Sequence, residues 1–446
     1  MKRFPFLLLA LSLVFLSVAR AQIAPHVMRS TIAGVDVLIY PTGVKDVVTI
    51  HGSLPAGDAL AGEGNIAVPT LTGMLLDKGT TAHDQFALTS ELERVGATIS
   101  FNVGNEMLEI NAKCLRKGAP LVISLIAEQL RTPVFAAEEL AKVKKQFACG
   151  FQRQLESTDF RATDAFSRAV YPEGHPNRQP TTEELLAAID SAKLADIQAF
   201  HKTFYGPAHL TFVIVGDVDA PQIQAELAKS FADWSGGKPV LHPAKAMASD
   251  APKFESVFMA DKTSVSVVLG QTTGLRYSDP DYQALRLATS VLGGSGFSGR
   301  LMQTVRDKEG LTYGIYSNTS NDTFSDGDWK ITATFAPTLL TKGLASTREQ
   351  LAKWCDKGIS KEELEYRKTN LVGSFKVSLA TTEGMAASLL AAIHRGYDQT
   401  WLDQYPRVIE ALTLDQVNGA VKKHLNPENM VLIEAGTIPS AVPAAK

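Results

Sequence analysis

Arg306 and Tyr313 stand seven residues apart in the stretch GRLMQTVRDKEGLTYGIYS, residues 299–317. The stretch reads as a helix that stops at a short loop, followed by a strand carrying Tyr313 and Tyr316. An arginine presents a rigid fork of N–H donors to a carbonyl or carboxylate, and a phenol presents one neutral O–H. A basic and a phenolic donor at this spacing look like a pair aimed at one target. Two plainer readings compete. Arg306 could pair with Asp307 or with Glu309, the latter at the i,i+3 spacing of helical ion pairs, and Tyr313 could be a core aromatic.

Other catalytic chemistry has little support. The nine histidines are scattered, at positions 26, 51, 83, 175, 201, 209, 242, 394 and 424, and neither HExxH nor HxxEH occurs. His83-Asp84 has poor geometry for a shared metal, His175 in YPEGHPN reads as a loop-packing residue, and His201 and His209 read as structural. There is no Gly-x-Ser-x-Gly elbow and no cysteine beside a candidate histidine, so a hydrolytic nucleophile is unsupported. Gly293-Gly294-Ser295-Gly296 lacks the lysine and hydroxyl residue of a phosphate loop and reads as a tight turn. Cys114, Cys149 and Cys355 form no CxxC pair and read as buried free thiols.

The elements that would carry Arg306 and Tyr313 belong to a duplicated chain. A length of 446 residues, 45% hydrophobic and 20% charged, with a formal charge of −3, fits a globular protein of at least two domains. No basic block suggests nucleic-acid binding. Ile189–Gly216 and Ile409–Gly436 align without a gap, with Leu194/Leu414, Pro207/Pro427 and Gly216/Gly436 coincident. Each copy reads as an amphipathic helix, a proline turn and an apolar strand. A second pairing runs from Arg116 and from Thr341, sharing Glu-Glu-Leu at 138–140 and 362–364. Alternating strands open each half, at Val35–Tyr40 and Val47–His51, and at Ser264–Leu269. The fold class is therefore α+β: two tandem homologous α+β domains, each an antiparallel sheet plus helices, joined by a linker. The domains are placed at 22–236 and 257–440, the linker at 237–256 and a flexible tail at 441–446. Residues 1–21 read as a signal peptide: Lys2-Arg3, an apolar run, then Ala19-Arg20-Ala21 before the cleavage point. No later segment is long and apolar enough to span a membrane.

Two tandem halves, the Gly-rich turn GGSGFSGRL (293–301) and the Arg-x6-Tyr spacing of Arg306 and Tyr313 resemble the pitrilysin/insulinase family of zinc peptidases. The resemblance covers nearly all of the chain after residue 21 and implies a clamshell of the two halves. In that family a His-x-x-Glu-His helix of the first half binds zinc, its Glu is the general base, and a further carboxylate completes the site. The family's Lys-Gly-Thr landmark is present as Lys78-Gly79-Thr80, which puts the motif at Thr70, Gly73 and Met74. The remaining ligand position, about 77 residues on, is Phe151. None of these can hold zinc or activate water. The resemblance thus implies no intrinsic catalytic residue, no metal and no cofactor in this chain, with Arg306 and Tyr313 kept for substrate. It further implies a zinc-bearing paralogue as heterodimer partner, an unfolded peptide as substrate, and a periplasmic location. The alternative is a catalytically inert peptide-binding or scaffold protein of the same fold.

Overall fold

The computed structural model describes residues 22–240, 246, 251–294 and 296–438. The expected signal peptide, part of the linker and the tail lie outside the described residues. The first half runs β1 (Met28–Ile32), β2 (Val35–Pro41), β3 (Val47–Leu54), α1 (Val68–Leu75), α2 (Gln85–Arg94), β4 (Thr98–Val103) and β5 (Leu108–Leu115). It continues with α3 (Ala119–Arg131), α4 (Ala137–Gln154), α5 (Thr158–Val170), α6 (Thr182–Ser191), α7 (Leu194–Phe204), β6 (Thr211–Gly216) and α8 (Ala220–Ser230). The second half has β7 (Lys253–Phe258), β8 (Val265–Thr272), α9 (Tyr282–Leu292), β9 (Thr312–Ser320), β10 (Asp328–Phe335), α10 (Leu340–Lys357), α11 (Lys361–Ser378), α12 (Thr382–His394), α13 (Trp401–Ala411), α14 (Leu414–His424) and β11 (Val431–Gly436).

The sheets show the duplication directly. The first has the order β1-β2-β6-β3-β5-β4 and the second β7-β11-β8-β10-β9. β2 lies parallel to β6 as β7 lies parallel to β11, and the other neighbours are antiparallel. Apart from β1, the two sheets have the same order. Helices α7 and α14 and strands β6 and β11 keep the 189/409 alignment residue for residue. Capping boxes begin several helices, as at Thr181/Glu184 for α6 and Ser360/Glu363 for α11.

One boundary needs correction. The sequence places the linker at 237–256, but β7 begins at Lys253. Its residues KFESVF form an edge strand exposed along nearly its whole length, with Phe254 63% and Phe258 68% exposed. A strand without a buried face has no alternating pattern to reveal it. The cysteine reading is also corrected in part: Cys114 is buried, whereas Cys149 is exposed on α4.

Each sheet buries two faces, and only one is covered by its own half. Val37, Ile39, Ile50 and Ile214 of the first sheet pack with Val122, Ile126 and Leu227 of α3 and α8. The opposite face, with Leu38, Val213 and Val215, belongs to the core of the second half, where α12 crosses β3 and β6. Reciprocally, Ala162, Ala165 and Phe166 of α5 pack on Val268, Val431 and Ile433 of the second sheet. The halves thus exchange one helix each, along polar as well as apolar contacts. Thr49 Oγ1 lies 2.9 Å from Thr382 Oγ1, His51 Nε2 is 2.7 Å from Glu383 Oε1, and Thr158 Oγ1 is 2.8 Å from Ser266 Oγ.

The repeated glycines at the ends of β6 and β11 have a common cause. Gly216 and Gly436 take φ of 142° and 146°, a region that L side chains rarely adopt. A Cβ there would stand 2.0 Å from Val47 O and 2.6 Å from Ser264 O, respectively. Gly216→Ala and Gly436→Ala are each expected to lower stability by about 1–3 kcal/mol or more, read as the urea midpoint. A midpoint equal to the wild type would show that these strand ends relax freely.

Candidate functional site

The Arg306/Tyr313 pair is assembled by two irregularities of backbone. Residues Met302–Lys308 form a π-helical turn rather than the expected α-helix, a geometry common at functional positions. On β9, Ile315 pairs with Ala333 and Thr312 with Phe335, so Tyr313 and Gly314 together oppose Thr334. That is a β-bulge, which re-aims the side chain at the extra residue. In an unbroken strand Tyr313 would share the face of Ile315 and Ser317, which are 0% and 1% exposed. The bulge turns it out, and Tyr313 is 88% exposed. The core reading of Tyr313 is excluded.

Arg306 holds this bulge. Its Nε donates to Tyr313 O at 3.0 Å, and its guanidinium carbon lies 5.7 Å from the centroid of the Tyr313 ring. It also pairs with Asp307, NH1 to Oδ1 at 2.6 Å, so the competing reading of a local ion pair does describe part of its environment. A substrate oxygen reaching Arg306 would share that guanidinium with Asp307. Tyr316, 46% exposed, places its ring against Gly314, where an added Cβ would meet it at 3.0 Å.

The degenerate motif positions lie on α1, as the landmark count requires. Ala67 provides no side-chain cap for this helix. Asp58, from the preceding 3-10 turn, is the acceptor here: Thr70 Oγ1 donates to Asp58 Oδ1 at 2.8 Å, and the Thr70 backbone N–H donates to the same carboxylate. Burial outweighs these hydrogen bonds and raises the Asp58 carboxyl from the usual carboxylate range to about 6. At Gly73 a Cβ would come within 2.4 Å of Val103 Cγ2, so α1 and β4 approach too closely for a glutamate there. Met74 and Phe151 do converge, lining an open cleft of about 510 Å³ with Phe147 and Gly150 of α4. The donor set is a hydroxyl already engaged, a glycine, a thioether and a phenyl ring. It does not fit a zinc ion, which takes histidine, thiolate or carboxylate ligands.

The other candidates have structural partners. His83 Nδ1 is 2.9 Å from Glu128 Oε1, His201 Nε2 is 2.8 Å from Leu130 O, and His175 stacks on Tyr171 with ring centroids 4.6 Å apart. Among the described residues no group of three or more His, Cys, Asp or Glu gathers around a metal position.

The two sides of the candidate site meet through α5. Phe151 contacts Phe160 edge to face, with centroids 5.8 Å apart. Asp159 accepts from Ser266 and, at 3.4 Å, from Thr334, the residue opposite the bulge. Thr312 Oγ1 donates to Thr334 O at 2.6 Å. A chain of contacts thus runs from Phe151 through the first turn of α5 to Thr334 and Thr312, the neighbour of Tyr313 on β9. Asp58 is the residue beside these positions that sequence reading misses; its spacing from Thr70 is no motif, and only the turn before α1 brings it near.

A two-sheet α+β architecture with an exchanged helix in each half, a helix at the zinc position without ligands, and an exposed Arg/Tyr pair define a zinc-peptidase fold without its metal motif. The comparisons agree. The family profile "Peptidase M16 inactive domain" matches residues 191–371. A "Non-peptidase homolog YmxG" of Helicobacter pylori is 24% identical over 386 residues, 84% of this chain and 85% of that protein. An "Uncharacterized zinc protease YmxG" of Bacillus subtilis is 25% identical, over 81% and 87%. A peptidase M16 inactive domain from Pseudomonas fluorescens superposes with a TM-score of 0.84 at 25% identity, covering 94% of this chain and 99% of that one. The periplasmic protease PqqL of Escherichia coli superposes with a TM-score of 0.74 at 17% identity; all but 1% of this chain matches 49% of it. The chain thus carries an M16 inactive-domain match over residues 191–371 and is similar over most of its length to M16 relatives, without the zinc-binding motif of the pitrilysin/insulinase family. Among the described residues no helix is long and apolar enough to cross a membrane.

Asp58 gives this region a pH signature. With its carboxyl raised to about 6 when folded, the native chain holds a proton that the unfolded chain has released above its ordinary carboxylate value. Its contribution to stability is therefore fullest below about pH 4 and falls as pH rises toward 6. Comparing urea unfolding across that window, Asp58→Asn is expected to flatten this decline. An unchanged slope would show that Asp58 titrates normally.

Proposed function

We propose that the chain is the non-catalytic, substrate-binding subunit of a zinc-dependent M16 peptidase, completing the active site of a separate zinc-bearing paralogue. The observation that carries this reading is the bulge at Tyr313. A phenol 88% exposed beside an arginine that holds its carbonyl is a built feature. No packing need of this chain explains it. In the heterodimer Arg306 and Tyr313 hold the backbone of an unfolded peptide and donate to the oxygen that becomes negative, while the partner supplies zinc and base. This chain binds no zinc. Among the described residues β4, next to α1, is an edge strand, and this supports peptide binding further, because an extended segment can add to such an edge through main-chain hydrogen bonds. A periplasmic site of action is supported by the likeness to a protease described as periplasmic and by the N-terminal leader read from the sequence.

The alternative reading, an inert peptide-binding or scaffold protein, is separated by one experiment. The purified chain is mixed with an M16 paralogue bearing HxxEH from the same genome, and cleavage of an unfolded peptide is followed. The chain alone is expected to cleave nothing and to carry no stoichiometric zinc, and the mixture to cleave. Tyr313→Phe and Arg306→Ala should each lower the rate of the mixture on the order of a hundredfold, with assembly intact by size exclusion. Variants as active as the wild type would remove the proposed role.

A further inference from the structure

Behind the second sheet, bounded by α9, α11, α12 and α13, lies a cavity of about 420 Å³ whose walls are aromatic and cationic together. Its size is within the range of small-molecule sites, about 300–1,000 Å³. Tyr277, Phe375, Trp401 and Tyr405 provide the flat surfaces, and Arg286 and Arg395 provide charge. Small residues on the facing helices, Ser378 and Ser388 among them, leave the space open. Among the described residues no acid lines it.

The two arginines differ in how well they are satisfied. Arg286 donates to Tyr405 Oη at 2.8 Å and, at 3.5 Å, to Gln283 Oε1. Arg395 lies flat against Tyr277, its guanidinium carbon 3.6 Å from the ring centroid, and its Nε is buried without a hydrogen-bond acceptor. Gln283, 5% exposed and in contact with Arg286, likewise has a buried amide nitrogen without an acceptor. Buried donors of this kind are normally satisfied, and a buried cation is normally paired. The acid that feels both arginines is Asp322, whose carboxylate already accepts the Tyr282 hydroxyl at 2.6 Å. Arg395 also lines the cavity of about 660 Å³ between the halves, with Asp36, His209 and Phe324.

We propose that this cavity binds a small organic monocarboxylate with a flat apolar body, the carboxylate taken by Arg395 and the body packed between Trp401, Tyr405 and Phe375. The stacked guanidinium presents its remaining N–H edge in the fork that a carboxylate fits. The site is independent of the Arg306/Tyr313 pair and of the subunit role.

The test is calorimetric titration of the chain lacking residues 1–21 with phenylacetate, N-acetyl-phenylalanine and N-acetyl-phenylalaninamide. At least one acid is expected to bind saturably at one site, with the amide weaker by about tenfold or more. Binding of phenylacetate alone points to a free aromatic acid, and binding of N-acetyl-phenylalanine as well points to a peptide C-terminus. Arg395→Gln should weaken binding by about ten- to a hundredfold, and Ser388→Phe, which fills the space without altering charge, should abolish it. Failure of both acids to bind, equal binding of acid and amide, or undiminished binding by a folded Arg395→Gln chain would each overturn the proposal. Should Arg395→Gln not fold, the acid–amide comparison and Ser388→Phe decide.

Discussion

A sheet whose strands are apolar on both faces must be covered twice, and in this molecule each half can cover its own sheet only once. The exchange of α5 and α12 resolves that constraint, and the rest of the architecture depends on it. Without α5, Val268, Val431 and Ile433 of the second sheet would lose Ala162, Ala165 and Phe166 to water. Without α12, Leu38, Val213 and Val215 of the first sheet would be uncovered. Two domains are therefore separate along the chain but not in their packing. The exchange also sets the position of the candidate site, because α5 leaves α4 at Phe151 and reaches Thr334 beside the bulge.

A second set of contacts ties the halves at another place. The loop after α5 sends Tyr171, His175 and Asn177 into the turn between β9 and β10. Tyr171 Oη donates to Asp328 Oδ2 at 2.9 Å, and Asn177 Nδ2 donates to Asn321 O at 2.9 Å and Ser325 Oγ at 3.0 Å. Lys330 pairs with Asp328 at 2.8 Å. Asp326, fully buried, accepts from the backbone N–H of Ala246 in the connecting segment at 2.9 Å. Buried polar groups satisfied in this way specify one arrangement, since breaking any member strands the others. The segment between the halves is thus more than a tether: at Ala246 it is part of the interface.

The chemistry left to the chain is one-sided. At the motif positions, α1 packs so close to β4 that a Cβ at Gly73 would meet Val103, and Met74 and Phe151 line the cleft with no metal-binding group. Opposite, the backbone spends two irregular elements, a π-turn and a bulge, on displaying one phenol and fixing one guanidinium. Backbone irregularity is thus gathered at the face that carries Arg306 and Tyr313.

Much of this was legible in the residues. The duplication shows in Leu194/Leu414 and Gly216/Gly436, because both copies must solve the same strand-end geometry with glycine. The missing ligands show at Thr70, Gly73 and Met74, because zinc chemistry admits few residue types at fixed helical spacing. Other features were not legible. β7 has no buried face to pattern it, and Asp58 caps a helix from outside any local motif. Tyr313 lies on the inward parity of its strand and faces outward only because Thr334 opposes two residues. Residue type and local period thus determined the α+β halves and the loss of the metal motif. The helix exchange, the bulge and the lone guanidinium of Arg395 were decided by tertiary structure, since each depends on which distant surface is left to be covered or unsatisfied once the chain has folded.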